Sequence, residues 1–215
     1  MRIDHRTVGP FEENCYLLSD EDSGRAVVID PGDEGDRIVE MIRASGATLD
    51  AVWLTHAHVD HIGAVAAVKR EFDVPVHLHP LDLPYYTALS ARAAVMYGID
   101  FEQPDEPDHE LADGQELRCG TLRFTVMHVP GHAPGLVAFT GHGVSFGGDL
   151  LFAGSIGRTD LPLGNPADMT ASLARYTAAL PDETIVYPGH GPSTTIGREK
   201  RTNPFLLGAA RIARR

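Results

Sequence analysis

Four side chains that can bind a metal ion occur within the seven residues THAHVDH, at His56, His58, Asp60 and His61. The segment lies between the apolar run AVWL and the small-residue stretch IGAVAA. Imidazole nitrogens and carboxylate oxygens bind zinc, iron or manganese at about 2.0–2.2 Å. On an irregular loop, a His-x-His pair can direct both rings toward one ion, while Asp60 and His61 turn toward a second. The spacing therefore predicts metal chemistry.

Three further candidate ligands share one setting, an apolar run that ends in a glycine-rich turn. His132 lies in VPGHAPG, Asp149 in FGGDLLF and His190 in YPGHG. If these runs are strands that end at one edge, their side chains converge in a cleft with the THAHVDH cluster. Five histidines and two aspartates can fill two metal sites, with Asp149 as the expected bridge. The repeated setting argues against the alternative of ordinary polar loop residues.

Strands must deliver these ligands, and the pattern of the chain predicts where the strands lie. Apolar runs closed by turn residues predict strands at NCYLLSD, RAVVIDPG, DAVWLT, VPVHLHP, QELRCGTLRFTVMHVPG, GLVAFTGHGVSFGGD and ETIVYPGHG. Helical spacing of apolar residues predicts helices at DRIVEMIRASG, IGAVAAVKREF, LPYYTALSARAAVMYG and PADMTASLARYTAAL. The chain makes two passes of strands followed by helices, which predicts two helix-faced sheets around one core.

Composition restricts the class of protein. The 215 residues carry a net charge of −12, from 30 acidic and 18 basic residues, which argues against binding to nucleic acid or to an anionic membrane surface. The sequence has no signal peptide and no apolar run near the ~18 residues of a membrane span, so we expect a cytoplasmic protein. Its two cysteines, Cys15 and Cys119, exclude a disulfide framework and a cysteine-rich zinc site.

The four motifs, in this order, resemble those of the metallo-β-lactamase superfamily: HxHxDH in THAHVDH, then GHAPG, GGDLLF and PGHG. The resemblance spans nearly the whole chain and implies a four-layer αβ/βα sandwich, an α/β arrangement of two mixed β-sheets faced by helices. It implies two divalent cations, with zinc expected first and iron or manganese also suited to the ligands. The implied ligands form two triads and one bridge: His56, His58 and His132; Asp60, His61 and His190; and Asp149.

Two further stretches resemble the glyoxalase II-like branch of that superfamily, the hydroxyacylglutathione hydrolases. LLFAGSIGRTDLP resembles the segment after the bridging aspartate in these enzymes and in the related persulfide dioxygenases. YPGHGPSTTIGREKRTNPFL resembles the C-terminal signature of the short bacterial members, and about ten residues follow it. The resemblance implies a single hydrolase domain over residues 1–215, without the helical C-terminal domain of longer glyoxalase II enzymes.

The implied activity is hydrolysis of acyl-thioesters, with S-D-lactoylglutathione or a similar small thiol conjugate as the expected substrate. Hydroxide generated between two cations would attack the thioester carbonyl, and Asp60 would bind metal and orient the nucleophile. Because glutathione-type thiols carry carboxylates, the cations near the motifs are candidate substrate-binding residues: Arg158, Arg198, Lys200 and Arg201. The last three fit equally well on the solvated face of a terminal helix.

Other activities stay open on this ligand set. A persulfide dioxygenase uses one iron held by two histidines and one aspartate, although Ser155 and Ile156 differ from the residues usual in such enzymes. A lactonase or another metallo-hydrolase of the same fold would share the ligands. A structural zinc site is closed by four ligands, so seven favour catalysis. The sequence leaves the oligomeric state open, a homodimer included.

Overall fold

The strands form two six-stranded sheets in a computed structural model, which describes residues 1–98 and 100–212. The first sheet has the order β1-β2-β3-β4-β5-β6 and comprises β1 Arg2–Val8, β2 Glu13–Asp20, β3 Arg25–Ile29, β4 Thr48–Trp53, β5 Val76–Leu78 and β6 His109–Glu110. The second comprises β7 Glu116–Cys119, β8 Leu122–His128, β9 Val137–Gly141, β10 Val144–Gly148, β13 Ile185–Pro188 and β14 Thr194–Thr195, in the order β14-β13-β10-β9-β8-β7. A separate hairpin pairs β11 Leu151–Phe152 with β12 Ser155–Ile156.

Helices fill the connections between these strands. They are α1 Gly35–Ser45, α2 Val59–Ile62, α3 Val65–Phe72, α4 Leu83–Tyr86, α5 Leu89–Tyr97, α6 Pro166–Ala179 and α7 Ile196–Thr202, with a 3₁₀ turn at Pro80–Asp82. Both sheets are mixed: β3, β4, β5 and β6 run parallel in the first, and only β10 and β13 do so in the second. No helix in the described part of the chain combines the length and the apolar character needed to cross a membrane.

Three buried apolar clusters define the four layers. β2 is buried along its whole length; Leu17 belongs to the cluster under α1 and α3, and Leu18 to the cluster between the sheets. Between the sheets, the Trp53 ring packs against Phe124 and Phe139 at centroid distances of 6.0 and 5.2 Å. The third cluster joins α6 to the outer face of the second sheet. The predicted four-layer sandwich of two helix-faced mixed sheets is confirmed.

Several local features differ from the predicted pattern, among them the two-residue strands β6, β11, β12 and β14, which lie outside the predicted strands. β1 was not predicted, because it is an edge strand of charged and polar residues whose side chains are mostly exposed, as is common at sheet edges. The stretch predicted as one helix, LPYYTALSARAAVMYG, forms α4 and α5. At the break, the Thr87 hydroxyl donates to the Leu83 carbonyl, a local bond that competes with regular helix geometry.

Candidate metal centre

The seven predicted ligands lie together at one edge of the sandwich, because each follows the carboxyl end of a strand. They lie after β4 (His56 and His58), on the short helix α2 (Asp60 and His61), and after β8, β10 and β13 (His132, Asp149 and His190). The first sheet supplies four ligands and the second supplies three. The sequence-based expectation that these segments converge therefore agrees with the geometry.

Three imidazoles form the first triad. The Nδ1 atom of His58 lies 3.2 Å from Nε2 of His56 and 2.7 Å from Nε2 of His132, and all three rings are buried. Nitrogens bound to one tetrahedral zinc at about 2.0–2.1 Å would lie about 3.3 Å apart. The triad has nearly the spacing that a single ion requires.

The second triad contains Asp60, His61 and His190. The Asp60 Oδ2 atom lies 3.3 Å from Nε2 of His190 and 4.0 Å from Nε2 of His61. Asp149 faces both triads: its Oδ2 atom lies 3.3 Å from Nε2 of His132 and 3.6 Å from Nε2 of His190. Its Oδ1 atom lies 3.5 Å from Nε2 of His61. One carboxylate is thus shared, as a bridging ligand would be.

Hydrogen bonds from the Nδ1 atoms of His56 and His61, which point away from the other candidate ligands, fix the tautomers of these two rings. Asp30 is buried beneath the triads, and its Oδ2 atom accepts from the Thr55 hydroxyl at 2.6 Å and from Nδ1 of His61 at 3.0 Å. Because the Thr55 hydroxyl donates to Asp30, its oxygen accepts from Nδ1 of His56 at 3.1 Å. Both rings therefore turn an Nε2 lone pair inward, which is how metal-binding histidines are commonly held.

Two main-chain carbonyls do the same for His132 and His190. Nδ1 of His132 donates to the Arg158 carbonyl at 2.8 Å, and Nδ1 of His190 donates to the Phe11 carbonyl at 3.0 Å. A carbonyl can only accept, so each Nδ1 carries the proton and each Nε2 is free to bind metal.

Asp82, in the 3₁₀ turn, connects two of the ligand loops. It is fully buried; its Oδ2 atom accepts from the amide of Ala57 at 2.9 Å, and its Oδ1 atom accepts from the amide of Gly135 at 2.6 Å. Ala57 stands between His56 and His58, and Gly135 follows His132 by three residues. The Asp82 carboxylate therefore holds the two parts of the first triad in register.

Asp82→Asn should lower the affinity of the first triad for zinc by about 10-fold, the lower end of the range for groups that support metal ligands. The asparagine side chain keeps one acceptor but presents an NH₂ group to one of two amide donors. Competition with a chromophoric chelator measures this affinity. Asp36→Asn, an exposed substitution on α1, is the matched control. Equal zinc affinities for wild type and Asp82→Asn would contradict the connecting role.

Glycines leave the space that the ligands occupy. A Cβ atom on Gly189 would lie 2.3 Å from Oδ1 of Asp149 and 2.7 Å from Cε1 of His61. Gly131, beside His132, has φ +141°, and its Cβ would lie 2.4 Å from the backbone of Met169 in α6. Gly189 and Gly131, which directly precede His190 and His132, are therefore required by close approach.

The protonation states of two histidines in the first triad favour binding of a cation. Burial lowers the pKa of His58 to about 3, and the adjacent His132 adds to this effect. Burial likewise holds the pKa of His56 well below its ordinary value, with neighbouring imidazoles as the next cause. Both rings are therefore neutral at physiological pH, which is the form that binds metal.

The carboxylates of the centre stay ionised. Burial opposes this, but the rings of His132 and His61 hold the pKa of Asp149 well below its ordinary value. Burial also disfavours a charged His61, yet Asp149 and Asp60 raise its pKa, so a cation at this position would replace the proton on Nε2. Within the described chain, the Nε2 atom of His61 and the Oδ1 atom of Asp149 are buried without a hydrogen-bond partner. A divalent cation would satisfy both atoms, so these residues fit such ions.

The centre opens into a cavity of about 380 Å³. Five ligand residues face it: His58, Asp60, His132, Asp149 and His190. The rest of the lining is mainly apolar, with a few polar side chains: Phe11, Val59, Phe152, Ile156, Leu161 and Pro162, then Arg92, Ser155 and Arg158. His56 and His61 lie beneath, fully buried. A small molecule can therefore reach both triads from one side.

Of the four predicted substrate-binding cations, the structure brings Arg158 to the cavity. Its guanidinium forms a two-pronged ion pair with Asp160, at 2.6 and 2.8 Å. Arg198, Lys200 and Arg201 lie on α7, exposed and outside the cavity lining, and Lys200 pairs with Asp182 at 2.7 Å. The geometry therefore agrees with the solvated terminal helix that the sequence also allowed for these three.

The buried side of α7 has a different role, which the sequence analysis missed. The Glu199 carboxylate, fully buried, accepts from the Thr194 hydroxyl at 2.5 Å, the Gly154 amide at 2.8 Å and the Asn203 amide group at 2.8 Å. Gly154 is the turn of the β11–β12 hairpin, whose residues Phe152, Ser155 and Ile156 line the cavity. The C-terminal segment therefore supports the cavity wall through Glu199.

Known proteins are similar to this chain over the whole stretch that contains the candidate metal ligands. The sequence model of the metallo-β-lactamase superfamily matches residues 8–190, which include all seven ligands. The hydroxyacylglutathione hydrolase GloC of Haemophilus influenzae is 37% identical over 211 residues, covering 96% of this chain and 98% of GloC. The structure of the B3 metallo-β-lactamase BLEG-1 superposes with a TM-score of 0.89 at 40% identity, covering 96% of this chain and 100% of that one. A di-iron-bound form of TTHA1623 superposes with a TM-score of 0.86 at 46% identity, covering 94% and 100%.

Proposed function

The chain belongs to the metallo-β-lactamase superfamily, and we propose that it is a metal-dependent hydrolase of acyl-thioesters, with S-D-lactoylglutathione as the first substrate to test. The observation that carries the proposal is the shared carboxylate of Asp149, within 3.3–3.6 Å of nitrogens from both triads. Two triads joined in this way, and open to one cavity, support a binuclear hydrolytic centre over a closed structural site.

When bound, divalent cations supply Lewis acidity and make water acidic enough to furnish hydroxide near neutral pH. His56, His58 and His132 would hold one cation, and the second triad would hold the other. Asp60 faces the cavity, so its carboxylate can orient the attacking water and accept its proton. The thiolate leaves without a proton donor, because the pKa of its conjugate acid is only ~8.5.

Two observations favour a thioester among the substrates of this superfamily. The cavity wall is largely apolar and includes two arginines, which suits an acyl group joined to an anionic thiol carrier. The relative GloC, similar over nearly its whole length, is a hydroxyacylglutathione hydrolase. The di-iron form of TTHA1623 supports iron, beside zinc and manganese, as an ion for such a centre.

The test follows the loss of thioester absorbance when metal-analysed protein is mixed with S-D-lactoylglutathione. We expect turnover that a chelator abolishes and that added zinc or iron restores. Protein with two bound metal ions per chain and no turnover would contradict the thioester assignment. Oxygen uptake with glutathione persulfide would then favour the dioxygenase, and hydrolysis of a lactone would favour a lactonase.

A further inference from the structure

Arg92, on α5, is a cation of the cavity lining that differs from Arg158 in its partners. Within the described residues, the Arg92 guanidinium forms no ion pair, whereas that of Arg158 is bound by Asp160. The guanidinium lies instead over the Tyr85 ring, 3.7 Å from its centroid. In a chain with a net charge of −12, an arginine without a carboxylate beside a ligand-accessible cavity requires an explanation.

The Tyr85 ring gives this guanidinium a fixed position relative to the metal ligands. The ring is buried and packs edge-on against His58 at a centroid distance of 5.5 Å. Its hydroxyl donates to the Pro162 carbonyl, on the loop that forms another part of the cavity wall. A guanidinium stacked on a ring held at both ends is oriented before any ligand arrives, so less side-chain entropy is lost on binding.

We propose that Arg92 is the specificity-determining residue of the cavity and that it binds a carboxylate of the thiol portion of the substrate; this inference rests on the proposed thioester hydrolysis. The 2-hydroxyacyl group is small and uncharged, and its carbonyl must reach the triads. Arg92 and His58 both pack against the Tyr85 ring, so an anion on Arg92 is held beside the triads by a group that is not itself a predicted metal ligand. In a glutathione conjugate, the glycine carboxylate lies up to about 7 Å from the sulfur, roughly two extended residues.

Calorimetry on the metal-loaded protein tests this inference without turnover. The probes are S-methylglutathione, which cannot be hydrolysed at the sulfur, and its diethyl ester, which lacks both carboxylates. Wild type should bind the acid more tightly than the ester. Arg92→Gln should weaken binding of the acid by about 10-fold, as expected for one charge-assisted hydrogen bond, and leave the ester unchanged. Arg92→Lys should restore part of the loss.

The matched control is Arg70→Gln, which removes an exposed arginine of α3 that pairs with Glu102 and should change neither affinity. Equal effects of Arg92→Gln on acid and ester, or no effect on either, would overturn the inference. Turnover of S-D-lactoylglutathione is measured separately, where Arg92→Gln should raise KM and leave kcat unchanged. Selective binding of the acid over the ester without turnover would retain this inference and reject the thioesterase activity. Turnover without selective binding of the acid would retain the thioesterase activity and reject this inference.

Discussion

Asp149→Ala is expected to lower kcat for thioester hydrolysis on the order of 10³-fold, the scale on which loss of one preorganised group reduces turnover. Among the described ligands, Asp149 is the one whose oxygens face nitrogens of both triads, His132 on one side and His61 and His190 on the other. Without its carboxylate, the two metal positions lose their common ligand. Metal analysis after dialysis should therefore show fewer than two ions per chain.

Asp149→Asn tests the negative charge of this side chain separately from its volume. It fills the same volume and retains one acceptor oxygen, so we expect an intermediate loss of both kcat and bound metal. Circular dichroism and a thermal melt establish that each variant is folded. An Asp149→Ala protein that keeps two ions per chain and wild-type turnover would show that the carboxylate is not shared, whichever substrate the protein uses.

Glu199→Ala is expected to lower the free energy of unfolding by about 3 kcal/mol. Three donors, from Thr194, Gly154 and Asn203, lose their acceptor. The bonds from Thr194 and Asn203 are buried and the bond from Gly154 is partly buried, and each unsatisfied buried donor costs about 1–3 kcal/mol. The expected loss lies near the lower end of the sum of these costs, since water can enter the space that alanine leaves. Urea denaturation at a fixed metal concentration measures the difference.

Lys200→Ala is the matched control, because Lys200 is adjacent on α7 and forms an exposed pair with Asp182. Such pairs contribute about 0–1 kcal/mol. Glu199→Ala should also raise KM, since the hairpin that its carboxylate holds contributes Phe152, Ser155 and Ile156 to the cavity wall. If the two variants are equally stable, the carboxylate does not support the hairpin.

The convergence of the seven candidate ligands could be predicted from the sequence because each of them follows an apolar strand that ends in a turn or a glycine. Asp30 has the same setting, in VVIDPG, and this pattern could have identified it. Asp82 offered no such signal: it lies in a 3₁₀ turn, and its two amide partners are 25 and 53 residues away along the chain. Contacts of that kind depend on how the sheets pack, which spacing does not encode.

The cations of the C-terminal segment show the limit of reasoning from charge. The charges of GREKRTN indicate Arg198, Lys200 and Arg201 as candidate substrate-binding residues. The residues at helical spacing from Ile196, namely Glu199 and Asn203, instead form the buried side. That period was available in the sequence. Arg92 was not identifiable, because a lone arginine in an alanine-rich helix looks like any solvated side chain. Its role depends on the Tyr85 ring beneath it.

The origin of the ligands in both sheets ties metal supply to the lifetime of the folded chain. His56 and His58 extend from the first sheet and His132 from the second, so unfolding of either sheet destroys the first triad. A ligand that binds only the native state stabilises it by RT ln(1 + [L]/Kd), about 2.7 kcal/mol when free metal is 100 times Kd. When free metal falls, the unfolded population grows, and proteases that act on unfolded chains remove the protein sooner. Cellular abundance of the protein would then follow metal availability with no regulator beyond its own folding equilibrium.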